Sequence, residues 1–500
     1  MLTNKQNRQT IDWTVLGISG GLLLLFVLIS FLNLETISAF VNISFEWSVT
    51  YFGAFWQVLM LATFIAAIWL AFSKYGKIKL GNRNKPEINT FKWIAMIMAT
   101  LLAGGGVFWA AAEPMYHFMD APPLFKNRND PTTALAQSFM HWGFLAWAIL
   151  GTLSAVVLMY GHYNKSMPMK PRTLLYPIFG EKLNHNLAGK IIDAFSIIAV
   201  AAGTIGPIGF LGLQASYGLQ EVFGIPDVFA TQLAIIVGVV LVSTVSAVTG
   251  LYKGIQWLSR FNVRLALFLL VVVLIAGPGS FIIDQYVVSL GTYIDQFISM
   301  STYRGEDSWL GLWTIFFWGW FIGYGPMMAM LVSRISRGRT IRELMIAVAV
   351  IAPLVTTFWF TAVGGSGIYF EIENPGSVSD ALMETGMHAA MISITEQLPL
   401  SYIITPLFLL LTILFVITTT DSMAFTISMG ITGEGNPKRG LRIFWAVLMG
   451  LIATILLYIG EGSVEALQNF IVVTAVPVSI LLLPMVWLAP KVAKKMAHKE

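Results

Sequence analysis

The sequence predicts an all-α polytopic membrane protein with about twelve transmembrane helices. Of its 500 residues, 56% are hydrophobic and only 11% are charged. Apolar runs of about 20 residues recur along the whole chain, and each is long enough to cross roughly 30 Å of hydrocarbon as a helix. Charged residues gather in short connections between these runs, so no soluble domain larger than a loop is expected.

Twelve runs qualify as membrane spans, numbered here in chain order. They are Trp13 to Leu34, Val49 to Ser73, Phe91 to His117, Leu135 to Gly161, Lys190 to Leu219, Val228 to Gly250, Trp257 to Ile283, Trp309 to Ser333, Ile341 to Phe370, Leu400 to Gly430, Leu441 to Gly460 and Val464 to Ala489. Basic residues Lys5 and Arg8 precede the first run. That run is too long for a signal peptide and lacks a small-residue cleavage site, so it is predicted to be a retained span.

Positive charge alternates between successive loops. All but three of the 30 lysines and arginines lie in the two tails or in every second loop, and the exceptions are Lys126, Arg128 and Arg304. Because cytoplasmic loops carry the excess of basic residues, both termini are predicted to be cytoplasmic in a multi-pass plasma-membrane protein. The acidic connection from Ile372 to Leu400 is then external. Basic residues confined to such loops do not form a nucleic-acid-binding face. Apart from a small-molecule substrate, the expected partner is the lipid bilayer.

Two glycine-rich stretches predict irregular backbone inside the membrane. One is Gly104, Gly105 and Gly106 in the third span, and the other runs from Gly319 to Pro326 in the eighth. Each lies in the first span of a five-span block, and the loop charges give the two blocks opposite orientations. Interrupted helices at matching positions of inverted repeats indicate the central site of a transporter. Close helix packing through small residues is the alternative explanation of the same glycines.

This organisation divides the chain into five parts. Residues 1–90 hold the N-terminal tail, two leading spans and a cytoplasmic loop, and residues 91–284 form the first five-helix repeat. Residues 285–308 are an external connection. Residues 309–490 form the second, inverted repeat, and residues 491–500 are a cytoplasmic tail.

Aromatic residues follow one face of the eighth span. Trp313, Phe317, Trp320 and Tyr324 recur at spacings of four, three and four, and Phe321 widens the same face. The facing spans contribute Tyr116, Trp142 and Trp147. An aromatic cavity suits a quaternary ammonium group, which cannot donate hydrogen bonds but is attracted to ring faces. Free N–H groups from Gly104 to Gly106 would receive a carboxylate of the same ligand. A buried or lipid-facing helix surface shows such a stripe as well.

Ionisable residues at membrane depth are few. Glu113 and Asp421 are the acidic ones, and such residues are functional candidates by default. The scarcity of carboxylates disfavours a carrier of ordinary amino acids, whose primary amine would recruit one. The rival from another class is a membrane-embedded enzyme. His117 and His141 are placed to approach one another, but no cysteine, HExxH motif or Ser/His/Asp grouping accompanies them, so no catalytic residue is predicted.

At these residues the sequence resembles the betaine/choline/carnitine transporter family, over nearly the whole chain. The most specific pieces are WGWFIGYGPM (318–327), SRISRGRTIRE (333–343), FWAAAEPMYH (108–117), HWGFLAWA (141–148), GIQWLSRFN (254–262) and TTTDS (418–422). The resemblance implies a leucine-transporter-like 5+5 inverted repeat preceded by two extra helices, often trimeric. It also implies transport of glycine betaine, choline or carnitine by alternating access.

The resemblance assigns the family's aromatic box to Trp320, Phe321 and Tyr324, with Trp142 and Tyr116 on the facing spans. Many members have tryptophan at the positions of Phe321 and Tyr324. Some betaine carriers have tyrosine at the position of Leu150. The box of this chain therefore departs from the family's pattern at three positions.

Coupling is also inferred from the resemblance. Sodium-driven members carry hydroxyls at the positions of Thr418 and Thr419, and both are present. Sodium-independent exchangers carry a methionine, matched here by Met328, and an arginine, which neither Arg260 nor Arg264 matches cleanly. We expect uptake coupled to one sodium ion, with substrate exchange as the alternative and with no other cofactor. In the fifth span, Pro207 departs from the family's pattern and leaves a second sodium site without support.

Overall fold

The structure, a computed structural model, describes residues 11–101, 105–126, 128–249, 252–433 and 437–498. These residues form helices and loops without a strand, apart from one isolated antiparallel bridge between Lys79 and Thr340. Eleven helices of the described part are long and apolar enough to cross a membrane. They are Trp13–Leu32, Leu34–Phe72, Pro131–Asn164, Leu187–Phe223, Phe229–Thr249, Trp257–Ala276, Asp307–Ile335, Ile341–Glu373, Ser401–Thr432, Arg439–Ile459 and Glu465–Ala497. The prediction of an all-helical polytopic membrane protein is confirmed.

The structure describes two helices in the third span, one on each side of residues 102–104. These are Thr90–Leu101 and Val107–Met119, with Gly105 and Gly106 in a π-helical turn just before the second helix. Residues 102–104 lie outside the described residues, and so does the prediction made for Gly104. Of the three glycines, Gly105 and Gly106 are therefore the two whose structure is described here.

The spans differ in how much of their surface the protein covers. In the fourth, fifth and eighth spans, 94% of the most apolar window is buried, whereas in the sixth and seventh spans the figures are 33% and 22%. A helix that is apolar all round and buried belongs to the interior, and an apolar helix that is mostly uncovered faces lipid. The fourth, fifth and eighth spans therefore form the centre of the bundle.

The predicted interruption of the eighth span at Gly319 to Pro326 is wrong. One α-helix, Phe316–Ile335, runs through this stretch with the proline inside it, after a π-helical segment, Gly311–Ile315. A Cβ on Gly319 would lie 2.9 Å from the Trp56 ring, so this glycine permits a close helix contact. The packing explanation is therefore the correct one for Gly319.

The fourth span contains interruptions that the sequence did not reveal. Its helices are Pro131–Trp142, Phe144–Ile149 and Leu153–Met159. Gly143 separates the first two with φ −93° and ψ −133°, and a Cβ there would lie 2.3 Å from the Phe139 carbonyl oxygen. Only glycine fits such an approach. The second interruption comprises residues 150–152, so the fourth span is built from three short rods.

Shorter helices complete the described chain. They include Tyr176–Phe179, Gly279–Asp295, Phe297–Ser301, Ser379–Glu384 and Ala390–Glu396, and the last span divides into Glu465–Leu482 and Met485–Ala497. The ninth span contains two π-helical segments, Ala347–Ile351 and Thr361–Gly365. The π-helical segments are irregular turns within otherwise continuous spans.

Candidate functional site

Aromatic side chains of the fourth and eighth spans meet in the protein interior. The Trp142 ring stands edge-on to those of Trp320 and Phe321, with centroids 5.8 and 5.3 Å away. The Trp320 and Phe321 rings are nearly parallel, with an interplanar angle of 10° and centroids 6.0 Å apart. Each of the three side chains is 3% exposed. The structure thus brings these three predicted residues together, and we call them the aromatic box.

Trp320 is held by a carbonyl group that Pro207 leaves free. Its indole Nε1 donates a hydrogen bond to the Gly203 carbonyl oxygen, 3.0 Å away. In a regular α-helix this carbonyl would accept the N–H of residue 207, but proline has none. Pro207, which the sequence showed only as a departure from the family's pattern, therefore provides an acceptor for the ring. A Cβ on Gly105 would lie 2.4 Å from the far edge of the same ring, so Trp320 packs directly on the backbone of the third span.

Tyr324 lies one helical turn beyond Trp320, against the fifth span. Its hydroxyl is 3.2 Å from Thr204 Oγ1. A Cβ on Gly203 would lie 2.4 Å from the tyrosine ring, so the ring needs a glycine beneath it. Met328 lies one further turn along the same helical face and is buried. The structure therefore aligns the predicted residues of the eighth span on one face.

Tyr116 and Trp147 lie at the periphery. Tyr116 is half-buried and contacts the Trp313 ring, with centroids 6.0 Å apart. Trp147 follows the Gly143 interruption and donates its indole N–H to Thr356 Oγ1 of the ninth span, 3.0 Å away. Within the described part of the chain, no ring contact joins Trp147 to the aromatic box.

Further rings, which sequence reasoning missed, enclose the aromatic box. Phe360 of the ninth span lies 5.0 Å from Trp142, and Phe316 and Phe210 lie 5.6 and 5.9 Å from Trp320, measured between centroids. Phe316 is next to the predicted stripe, so the density of rings in the eighth span could have indicated it. Phe210 and Phe360 lie on other spans without a motif, and only the packing of the helices reveals them.

Glu113 connects the box to a polar cluster. Its Oε2 accepts the indole N–H of Trp142 at 2.9 Å, and its Oε1 lies 2.5 Å from His141 Nδ1. His117 Nε2 is 3.4 Å from the same Oε1. The two histidine rings do approach each other, with centroids 5.9 Å apart. A fully buried carboxylate thus orients one ring of the box.

Asp421, the other acidic candidate at membrane depth, has a structural partner. Its Oδ1 accepts a hydrogen bond from Arg442 Nη2 of the eleventh span, 2.9 Å away. Both side chains are largely buried. Buried charges of this kind are stable only when paired, so the pair accounts for Asp421 without a role in binding.

The predicted coupling residues lie on the tenth span beside an asparagine of the seventh. Thr418 Oγ1 donates to the Leu414 carbonyl at 2.9 Å and accepts from Asn262 Nδ2 at 3.3 Å. Asn262 is 1% exposed, and its Oδ1 has no hydrogen-bond partner within the described residues. Thr419 is buried next to Thr418. Among the contacts of the described residues, the seventh-span side chain on Thr418 is thus the neutral amide of Asn262.

Comparison with known proteins shows the family to which the chain belongs. The sequence profile of the BCCT family, the betaine/carnitine/choline family transporters, matches residues 14–498. The chain belongs to this family. Glycine betaine transporter 2 of Vibrio parahaemolyticus serotype O3:K6 (strain RIMD 2210633) is 54% identical over 489 residues, which cover 97% of this chain and 91% of that protein.

Other BCCT relatives are more distant. The ectoine/hydroxyectoine transporter of Virgibacillus pantothenticus is 32% identical, with 96% of both chains covered. The glycine betaine transporter OpuD of Bacillus subtilis (strain 168) is 33% identical, with 95% of this chain and 93% of that protein covered. The relatives are named as transporters and the family is a transporter family, so this BCCT protein is a transporter and not an enzyme.

A solved structure shows the fold. The substrate-bound, outward-open structure of a sodium-coupled sialic acid symporter matches with a TM-score of 0.50 at 13% identity, covering 89% of this chain and 86% of that one. The predicted leucine-transporter-like architecture of this BCCT protein is confirmed.

Proposed function

We propose that this BCCT protein imports glycine betaine or a related quaternary ammonium compound, such as choline or carnitine, by alternating access. The observation that carries the proposal is the aromatic box of Trp142, Trp320 and Phe321 at the centre of the bundle. Indole and phenyl faces attract a trimethylammonium group, which needs no hydrogen-bond acceptor. The name of the Vibrio relative supports glycine betaine as the first substrate to test.

The strength of such a site follows from the number of rings. Each desolvated ring contributes roughly 0.5–2 kcal/mol. The three rings of the box, together with Tyr324, would support dissociation constants between about micromolar and millimolar. Gly105 and Gly106 lie in an irregular turn, and their N–H groups would receive the substrate carboxylate.

Substrate entry requires the box to open. The Trp142 ring contacts Trp320 and Phe321 directly, so a trimethylammonium group must part the fourth span from the eighth. The Gly143 interruption next to Trp142 provides a joint for this movement. Relative movement of helix groups around a fixed central site is how transporters with inverted repeats alternate access.

Sodium coupling completes the proposal. The hydroxyls of Thr418 and Thr419 are oxygen ligands, which a hard cation prefers, and so is Asn262 Oδ1, which has no hydrogen-bond partner within the described residues. The neutral amide at Asn262 supports symport of one sodium ion over exchange, in which Met328 would fill the ion position. The same proposal includes transport into the cell and a cytoplasmic location of both termini. It also includes the five-part division of the chain and a homotrimeric assembly.

Uptake into proteoliposomes tests both parts. Labelled glycine betaine is offered under an inward sodium gradient in one set and with equal potassium in the other. Uptake only with sodium supports the substrate and the coupling. Equal uptake in both, accelerated by preloaded betaine, overturns symport in favour of exchange. No accumulation in either set removes glycine betaine as the substrate. Labelled choline, carnitine and ectoine are then offered in its place.

A further inference from the structure

Glu113, His117 and His141 form a compact group of metal-binding side chains. One ligand atom from each lies within 4.8 Å of the other two, and all three residues are buried. Glu113 and His117 project from successive turns of the Val107–Met119 helix, while His141 lies near the end of the Pro131–Trp142 helix. We call these residues the Glu-His-His cluster. It joins the third span to the fourth beside the aromatic box.

We propose that the Glu-His-His cluster binds a divalent transition-metal ion of the Zn²⁺ type and that the bound ion slows transport. Two imidazoles and one carboxylate are a common ligand set for zinc, with a fourth position left for water. Nitrogen and oxygen donors of this kind select Zn²⁺, Co²⁺, Ni²⁺ or Cu²⁺ over Mg²⁺ and Ca²⁺, which take oxygen ligands. This inference goes beyond the proposed transport of a quaternary ammonium compound.

An orphaned nitrogen is the first argument for the site. His117 Nε2 is buried and has no hydrogen-bond partner within the described residues, although it lies only 3.4 Å from Glu113 Oε1. Buried polar atoms are rarely left without a partner, and each exception requires an explanation. A metal ion between these two atoms would satisfy the nitrogen.

Two of the distances between the ligand atoms can be compared with those of a metal site. Tetrahedral zinc with bonds of 2.0–2.2 Å separates neighbouring ligand atoms by about 3.4 Å. His117 Nε2 and Glu113 Oε1 already have this separation, at 3.4 Å. His141 Nδ1 and Glu113 Oε1 are 2.5 Å apart and would have to separate by about 0.9 Å, which a rotation of the carboxylate allows.

Charge gives an independent argument. Glu113 is completely buried, and none of its ion pairs within the described residues involves lysine or arginine. A buried carboxylate is stable only when its charge is neutralised, by a proton that it holds or shares with a histidine, or by a cation. A divalent ion supplies that charge to Glu113 and both imidazoles together.

Surrounding side chains orient the ligands as they do in metal sites. His141 Nε2 lies 3.0 Å from Thr314 Oγ1, and Glu113 Oε2 accepts from Trp142 Nε1. Such outer hydrogen bonds fix the ring tautomer and the direction of the metal-binding atom. Because Trp142 is part of the aromatic box, an ion on Glu113 would hold the third and fourth spans together and restrain the ring that must move.

Cobalt titration of the purified full-length protein tests the site. After removal of any histidine tag, Co²⁺ is added and its visible d–d absorption is followed. We expect one Co²⁺ per chain, displaced by Zn²⁺ and not by Mg²⁺. His117→Asn should weaken binding by at least about 100-fold. His388→Asn is the matched control, because His388 is also a buried histidine but pairs with Asp227 and is not one of the three ligands of the cluster.

Two outcomes overturn the proposal, and neither depends on transport. Wild-type protein that shows no cobalt absorption lacks the site. Equal titration of wild-type and His117→Asn protein places the ion elsewhere. Thermal melting confirms that each variant is folded, and Glu113→Gln provides a second loss of a ligand. In proteoliposomes, Zn²⁺ should slow uptake by the wild type and the His388→Asn variant but lose this effect in the His117→Asn variant.

Discussion

The indole N–H of Trp320 donates to the carbonyl oxygen of Gly203, 3.0 Å away on the fifth span. That carbonyl is available because Pro207, four residues later, has no N–H to offer it. A residue usually regarded as a helix breaker thus fixes the position of a binding-site ring. The bond also connects the fifth and eighth spans at the level of the aromatic box.

Replacing Pro207 by alanine should therefore weaken substrate binding. The new N–H competes for the Gly203 carbonyl, and the loss of about one hydrogen bond to Trp320 should raise the KM for glycine betaine roughly tenfold. Uptake kinetics in proteoliposomes measure the change. Pro490→Ala, inside the Met485–Ala497 helix, is the matched control and should leave KM as it is. An unchanged KM in Pro207→Ala would show that the ring does not depend on this carbonyl.

Replacing Trp320 by leucine should abolish saturable uptake. The change removes the indole face and its hydrogen bond, each worth on the order of 1 kcal/mol or more. Trp445→Leu is the control, because Trp445 is equally buried but lies on the eleventh span. Gel filtration checks that both variants are folded. Normal affinity in Trp320→Leu would remove the box from the mechanism.

Replacing Asn262 by leucine should raise the sodium concentration needed for half-maximal uptake. The variant loses Oδ1, which has no hydrogen-bond partner in the described part of the chain, and the hydrogen bond to Thr418. We expect a shift of about tenfold for one oxygen ligand. Asn262→Asp keeps an oxygen and should retain sodium dependence. Sodium titrations of uptake measure both. An unchanged half-saturation in the leucine variant would exclude Asn262 from the ion site.

Asp227, in the loop between the fifth and sixth spans, should make the protein less stable as the pH falls. Burial acts to raise its pKa, but hydrogen bonds from His388, Ser216 and Gln232 outweigh burial, so the pKa lies below its ordinary value. A lowered pKa contributes stability above the unfolded value of about 3.9 that is lost as the pH falls through the folded value.

The melting temperature of the wild type should therefore exceed that of Asp227→Asn at pH 6, and the difference should shrink below about pH 4. Melting both proteins in detergent across this range tests the sign. A difference that stays constant with pH would mean that packing, and not the charge of Asp227, stabilises the loop.

The hydrophobic pattern sufficed to predict an all-helical polytopic membrane protein, because a membrane span is recognised by its length and composition. The leucine-transporter-like arrangement of the spans was inferred from the family resemblance. Glycine was less informative. The same residue type packs closely at Gly319 and interrupts the helix at Gly143, and which of these occurs depends on the neighbouring span, not on local sequence. The stripe of rings on the eighth span followed from helical periodicity.

The partners of those rings did not follow from the sequence. Glu113 meets Trp142 across 29 positions, and Gly203 meets Trp320 across 117. Such contacts arise from the way the spans pack, so a single sequence contains no local signal for them. Trp147 is a similar case, since the sequence grouped it with these rings but contained no signal for the hydrogen bond from its indole to Thr356.

The two interruptions of the fourth span have a mechanical meaning. Three short helices joined at two interruptions need not tilt together. A tilt of the Pro131–Trp142 helix would be taken up at Gly143 before it reached the Leu153–Met159 helix. The middle rod stays fastened to the ninth span by the bond from Trp147 to Thr356. In the transport cycle proposed above, movement at one end of the span would then leave the other end in place, so the two ends would open in turn and not together.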